Sequence, residues 1–170
     1  MTNCYHLTLD MAALAKALHL SVAQAMRMFA DGRVIAKPAE YWVAAATGVT
    51  MSLNGNDAMD AYVNLPDGDH MHMAIRVLTS RIRFQRSKRM GAGRSCTLRE
   101  LRQDIRECDR WAVVDNTGLP DIAIYTFKAS LLEGWIDTGE LTVGGLSYDD
   151  FIAMLFRDGR PRVRQMEFVI

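Results

Sequence analysis

The chain has 170 residues, 49% of them hydrophobic, and its 20 lysines and arginines balance 20 aspartates and glutamates. That length suits one domain, the apolar share excludes a disordered chain, and no apolar run reaches membrane-spanning length. The three cysteines, Cys4, Cys96 and Cys108, are odd in number and form no CxxC, which argues against a disulfide framework.

The opening "MTNCYHLTLDM" has no basic start leading into an apolar stretch, so a soluble cytoplasmic protein with no membrane association is expected. The stretch "LTLDMAALAKALHLSVAQAMRMFADG" predicts two helices. Asp10 is the N-cap of the first, Leu14, Ala17 and Leu18 fall at helical spacing, and Ser21 caps a second helix that runs to Phe29, with Gly32 as a stop. Helix, turn, helix is the outline of a DNA-reading motif, with only Gln24 and Arg27 available to read bases; a purely structural helical hairpin fits equally. Residues 1–36 are read as an N-terminal helical segment and 37–170 as the core.

Pro38 fits the first turn of a third helix, "PAEYWVAAATG", closed by Gly48, with Glu40 near its start. "MDAYVNL" alternates as a strand, "PDGD" is a turn, "HMHMAIRVLT" a second strand and "RIRFQRS" a third. "KRMGAGRS" is a basic loop. "TLRELRQDIREC" is a helix with Thr97 as N-cap and Glu100 placed for a capping box. "WAVVDNT" and "IAIYTFKA" are short apolar strands, residues 129–137 a helix, "GELTVGGLS" a loop or small hairpin, "YDDFIAMLF" a last helix, and the tail an edge strand. The order predicts a mixed α/β (α+β) fold, a central mixed β-sheet flanked by helices. Trp42, Trp111, Trp135 and the methionines Met26, Met28 and Met154 read as core.

The zero net charge averages two opposed blocks. Between Pro38 and Ile75 there is no Lys or Arg, but Glu40, Asp57, Asp60, Asp67 and Asp69; from Arg76 to Arg99 there is no acid, but Arg76, Arg81, Arg83, Arg86, Lys88, Arg89, Arg94 and Arg99. Carboxylates gather divalent metal and arginines neutralise phosphates. His70 and His72 share a strand face and would reach zinc only with a distant cysteine; a polar hairpin end is the plainer reading. Asp115, after an apolar strand, reads as a turn aspartate.

Phosphodiester cleavage needs an activated water, a metal on the phosphate, and stabilisation of developing charge. A hairpin supplies these from an acid on one strand and an acid and a cation two residues apart on the next. Here the segments "AEYWVAAATG", "NDAMDAYV", "MHMAIRVLT" and "IRFQRSKRMGAGR" resemble the PD-(D/E)XK nuclease superfamily, type II restriction endonucleases above all. The resemblance implies a restriction-endonuclease-like fold and a Mg²⁺-dependent cut in double-stranded DNA, with Mn²⁺ as a substitute metal. Asp60 matches the leading aspartate and metal ligand, Glu40 the supporting acid on the preceding helix, and a backbone carbonyl near Ile75 a further ligand. Ala74 stands where the family has Asp or Glu, and Arg76 where it has Lys; guanidinium stays protonated, so Arg76 orients a phosphate rather than acting as a base. Ala74 leaves three accounts open: a substitution that spares DNA, a relic that only binds, or a different register served by Asp69 or His72. Arg81, Arg83, Arg86, Lys88, Arg89 and Arg94 would track the DNA backbone, with Gln85, Ser87 and the arginines at base edges. A palindromic target implies a homodimer. Two other functions compete: a non-enzymatic DNA-binding regulator using the helical pair, and an inhibitor protein acting through a charged surface.

Overall fold

The computed structural model describes residues 2–51, 60–64, 70–86 and 95–165. Along the described chain run β1 (Asn3–Thr8), α1 (Met11–Ala17), α2 (Val22–Phe29), α3 (Gly32–Thr47), β2 (Thr50–Met51), β3 (Ala61–Asn64), β4 (His70–Leu78) and β5 (Arg81–Ile82). Then follow α4 (Leu98–Arg106), β6 (Arg110–Asp115), β7 (Asp121–Lys128), α5 (Ala129–Asp137), β8 (Leu146–Ser147), α6 (Tyr148–Met154), a π-helical turn (Leu155–Gly159) and β9 (Arg162–Gln165).

Side-chain caps set the helix starts as the sequence predicts. The Asp10 carboxylate accepts from the Ala12 and Ala13 N–H groups at 3.0 and 2.9 Å. Ser21 with Gln24, and Thr97 with Glu100, form reciprocal capping boxes. Gly48, at φ 75°, ends α3 in the left-handed conformation. Two expectations change. Gly32 opens α3 instead of stopping α2, because the Asp31 carboxylate caps the new helix through the Arg33 N–H. Pro38 consequently lies inside α3 and not in its first turn.

The described strands form a mixed sheet in the order β2-β3-β4-β6-β7-β1-β9, with β5 paired to β8 beside it. β4 and β6 are parallel, Ala74 against Trp111 and Arg76 against Val113, as are β1 and β9. The other neighbours in that sheet are antiparallel. A tight turn cannot join parallel neighbours, so the chain crosses from β4 to β6 by way of α4.

Alternation along β4 divides the core in two. Ala74 and Leu78 pack with Leu101 and Ile105 of α4, Leu132 and Trp135 of α5, and Phe151 of α6. Met73 and Ile75 pack with Met11 of α1, Phe29 of α2, and Ile35, Ala39 and Val43 of α3. The mixed α/β expectation, a sheet with helices over both faces, holds at that level. Trp111, Trp135 and Met154 are buried, and Trp42, Met26 and Met28 pack partly buried against the α1–α3 side. No helix among the described residues is long and apolar enough to cross a membrane.

The sequence did not lead to β1, a six-residue strand, although Tyr5 and Leu7 are buried and His6 and Thr8 exposed, the alternation of a strand with one face covered. Cys4 belongs to one core and Tyr5 and Leu7 to the other. The boundary at residue 36 falls inside α3, and Leu7, Met11, Ala25, Phe29 and Ile35 all enter the shared core. Of the third strand expected over "RIRFQRS", only Arg81–Ile82 forms among the described residues, and it pairs with β8 rather than β4. Gly145 permits this approach: at its φ of +74° an added Cβ would lie 2.0 Å from the Ile82 carbonyl oxygen. The tail does supply an edge strand, β9, lying beside β1.

Phe151 is fully buried, its ring 6.5, 6.1, 6.2 and 6.2 Å from those of Phe84, Tyr125, Phe127 and Trp135. Phe151→Ala should cost about 3–5 kcal/mol, read as a lower urea midpoint at unchanged slope; a loss under about 1 kcal/mol would contradict this packing.

Candidate active site: a paired hairpin

β3 and β4 run antiparallel with Ala61 opposite Met73, so Asp60, where the chain bends into β3, lies across from Ala74. The Asp60 N–H donates to the Met73 carbonyl at 3.1 Å. Its Oδ2 accepts from the Ile75 N–H at 2.7 Å and from Arg76 Nη1 at 3.1 Å. Nη1 also donates to the Ile75 carbonyl at 2.7 Å, and Nη2 to the Gln85 carbonyl at 3.4 Å. The guanidinium carbon sits 5.2 Å from the centre of the Trp111 ring, within stacking reach, and Nε is buried without a partner. The Arg76 and Asp60 side chains are 17% and 28% exposed, so the pair is mostly screened from solvent.

A second charged group lies next to the first. The Asp104 carboxylate, with a side-chain exposure of 0%, accepts from the Arg86 backbone N–H at 3.0 Å and lies 3.5 Å from Arg86 Nε. Arg86 also pairs with Glu107 at the end of α4. Cys108 feels the charges of both groups. Burial pushes its thiol up to about 11, with Arg76 and Arg86 pulling it down and Asp60 and Asp109 pushing it up.

The structure therefore joins the two residues that the sequence put first, Asp60 and Arg76. Ala74 shares their strand face but is fully enclosed in the core. The Ile75 carbonyl, expected to ligate metal, is occupied by Arg76. Glu40 lies on α3, over the opposite face of the sheet, paired with Lys37, which in turn feels the Asp60 charge. As arranged, these groups offer a divalent cation one nearby carboxylate whose Oδ2 already has two donors, and they do not fit Mg²⁺. Among the described residues no group of three or more His, Cys, Asp or Glu is placed to hold a metal, His70 and His72 included. Asp57, Asp67 and Asp69 fall outside the described residues.

The basic block is less open than its sequence suggests. Arg83 is exposed, and Arg81, also exposed, donates to the Gly144 carbonyl at 3.1 Å. Gln85 is 4% exposed, with its side-chain amide donating to the Val143 carbonyl, so it stands inside the protein and not at a base-reading surface. Ser87, Lys88, Arg89 and Arg94 lie outside the described residues. In the helical pair, Arg27 is exposed but Gln24 is committed to its capping box. Asp115 accepts from the Thr117 N–H and hydroxyl, the turn role expected of it.

Asp104 and Glu107 were not singled out by the sequence reading. A signal existed for Asp104: it stands in the i, i+3, i+4, i+7 stripe of Leu101, Asp104, Ile105 and Cys108, an acid where the helix turns its apolar face inward. Set against known protein families, curated proteins and solved structures, the chain matches none of them.

Two measurements probe this arrangement. Asp104→Ala leaves Arg86 with Glu107 alone and should lower unfolding stability by about 2–3 kcal/mol, seen in chemical denaturation; an unchanged midpoint would show the pair to be dispensable. Cys4 and Cys108, both pushed by burial to about 11, should be thiolate to only about one part in a thousand at pH 8. Maleimide at that pH should label half-exposed Cys96 first and reach the other two only on unfolding; early labelling of Cys108 in the native protein would count against the closed site.

Proposed function

We propose that this chain is a double-stranded DNA-binding protein built on a nuclease-like hairpin, of the restriction-endonuclease type, that holds DNA without cutting it. The observation that carries the reading is the Asp60–Arg76 contact. An acid entering one strand and a cation on the next meet at 3.1 Å. The order of elements supports it: a helix bearing Glu40 precedes the hairpin, and the hairpin lies in a mixed sheet with helices on both faces. The lack of cutting follows from Ala74. A metal-dependent mechanism needs carboxylates to hold the ion, and position 74 has none to give. The exposed guanidinium of Arg83 then supplies backbone contact, aided by Arg81. A two-fold symmetric duplex would be met by a homodimer in the cytoplasm.

Binding and cleavage separate in one experiment. The wild-type chain should bind short duplexes at low salt, with affinity falling steeply as salt rises, and should leave them intact with Mg²⁺ or Mn²⁺. Ala74→Glu should cleave with either metal, and Asp60→Ala in that background should abolish cleavage. Loss of Arg83 should weaken binding more than loss of Gln24 or Arg27. The absence of duplex affinity in the wild type would sink the proposal, and a larger effect at Gln24 or Arg27 would move the DNA to the helical pair. Because position 74 is enclosed, Ala74→Asp, with the shorter side chain, is run alongside, and thermal melting checks that each variant is folded.

A further inference from the structure

We propose that an outer face of α3 is a homodimer interface, a two-fold contact in which α3 lies antiparallel to the α3 of a second copy, with Pro38 beside the axis. The inference rests on the reading above for the dimer's role with DNA, and on α3 alone for its place.

α3 is apolar over more of its circumference than the core uses. Ile35, Ala39 and Val43 are fully buried in the core on the α1–α3 side. Val34, Pro38, Tyr41 and Ala45 form a second stripe beside the first, at i, i+4, i+7 and i+11. Val34 is 42% exposed and Tyr41 63%; Ala45 is exposed and Pro38 half-buried. Exposed apolar side chains scattered singly need no explanation, but four at this spacing make a continuous seam that one helix can cover.

The polar groups beside the stripe say which helix. Lys37 and Glu40 pair with each other along α3, so the face carries one charge of each sign. A polyanion would find no net charge there, whereas a second copy of the same face offers the same two charges in reverse order. In an antiparallel pair, residues equally far on either side of the axis face one another. With Pro38 beside the axis, Lys37 of each copy meets Glu40 of the other.

The backbone gives an independent sign of the same axis. Pro38 lies inside α3 and has no N–H, so the Val34 carbonyl lacks the donor that a helix supplies at i+4. Positions 34 and 41 straddle Pro38 as 37 and 40 do, so the same arrangement brings the Tyr41 hydroxyl of the second copy toward that carbonyl. Each contact then occurs twice, as an isologous interface requires. The charge pairs set register and orientation more than affinity. A helix of 16 residues is about 24 Å long, and one such helix buries less than the ~800 Å² per partner of a standard interface, so the dimer is weak and reversible.

The test is sedimentation velocity of the full chain without DNA, from about 10 to 300 μM at low salt, the range in which an interface of this size assembles. Wild type should move from monomer toward dimer as concentration rises. Tyr41→Glu should stay monomeric throughout, and Val163→Glu, at a 66% exposed valine on the edge strand β9, should dimerise as wild type does. Lys37→Glu and Glu40→Lys each set like charges together twice and should weaken the dimer about three- to tenfold. An equal mixture of those two variants should recover it, as should the double variant Lys37→Glu/Glu40→Lys. A monomeric wild type at the highest concentration overturns the proposal. So does a dimer that Tyr41→Glu leaves unchanged, which keeps a homodimer but places it elsewhere, or a mixture no tighter than either variant alone. Thermal melting checks each variant, and Tyr41→Ser carries the test should Tyr41→Glu fail to fold. Failure of the wild type to bind duplex ends the DNA reading separately and leaves this interface standing.

Discussion

A charge on a strand that has neighbours on both edges and helices over both faces has to be answered by the protein itself, because water reaches it poorly. β4 is such a strand, lying between β3 and β6 with α1–α3 over one face and α4–α6 over the other. Arg76 is answered by the Asp60 carboxylate, two carbonyls and the Trp111 ring. Much of the surrounding chain serves to place those acceptors. The Gln85 carbonyl is where it is because Gln85 is tied to Val143, Arg81 to Gly144, and Ser80 to Tyr148, and because β5 pairs with β8. A loop far along the sequence thereby fixes the electrostatics of the hairpin.

Position 74 decides what kind of site the hairpin makes in the proposed reading. With an acid there, one strand face would hold two carboxylates and a cation, an arrangement that favours a divalent ion. With alanine, Asp60 faces Arg76 one to one, and the guanidinium takes the role of counter-charge. Asp60 and Arg76 then neutralise each other.

The neighbouring helix carries a second group of paired charges. α4 is the crossover that parallel pairing of β4 and β6 requires, and it brings Asp104 and Glu107 to the basic segment. Arg86 is spent on holding the end of that segment against α4, while Arg83 stays exposed. Arg76 of the basic block pairs with Asp60 of the acidic block and Arg86 with Asp104 and Glu107 of α4, so the described part of the basic block is less charged toward solvent than its composition suggests.

The sequence by itself determined the local structure: the caps at Asp10, Ser21 and Thr97, the stop at Gly48, and the hairpin that sets Asp60 near Arg76. Those features depend on hydrogen bonds and contacts between residues a few positions apart, or across one turn, and such bonds leave a pattern in the residue order. It did not reveal that Gly32 would open a helix, since Asp31 could be read as a cap only once the helix behind it was known. Nor did it mark β1, whose alternation of buried Tyr5 and Leu7 with exposed His6 and Thr8 spans too few residues to stand out before the helix that follows. Only the tertiary structure decided that Asp104 and Glu107 would meet Arg86, that Gln85 would turn inward, and that Ala74 would be enclosed. Those outcomes depend on which strands are neighbours and which helix covers them, and an ion pair forms wherever sheet order brings two charges within a few ångströms, whatever their separation along the chain.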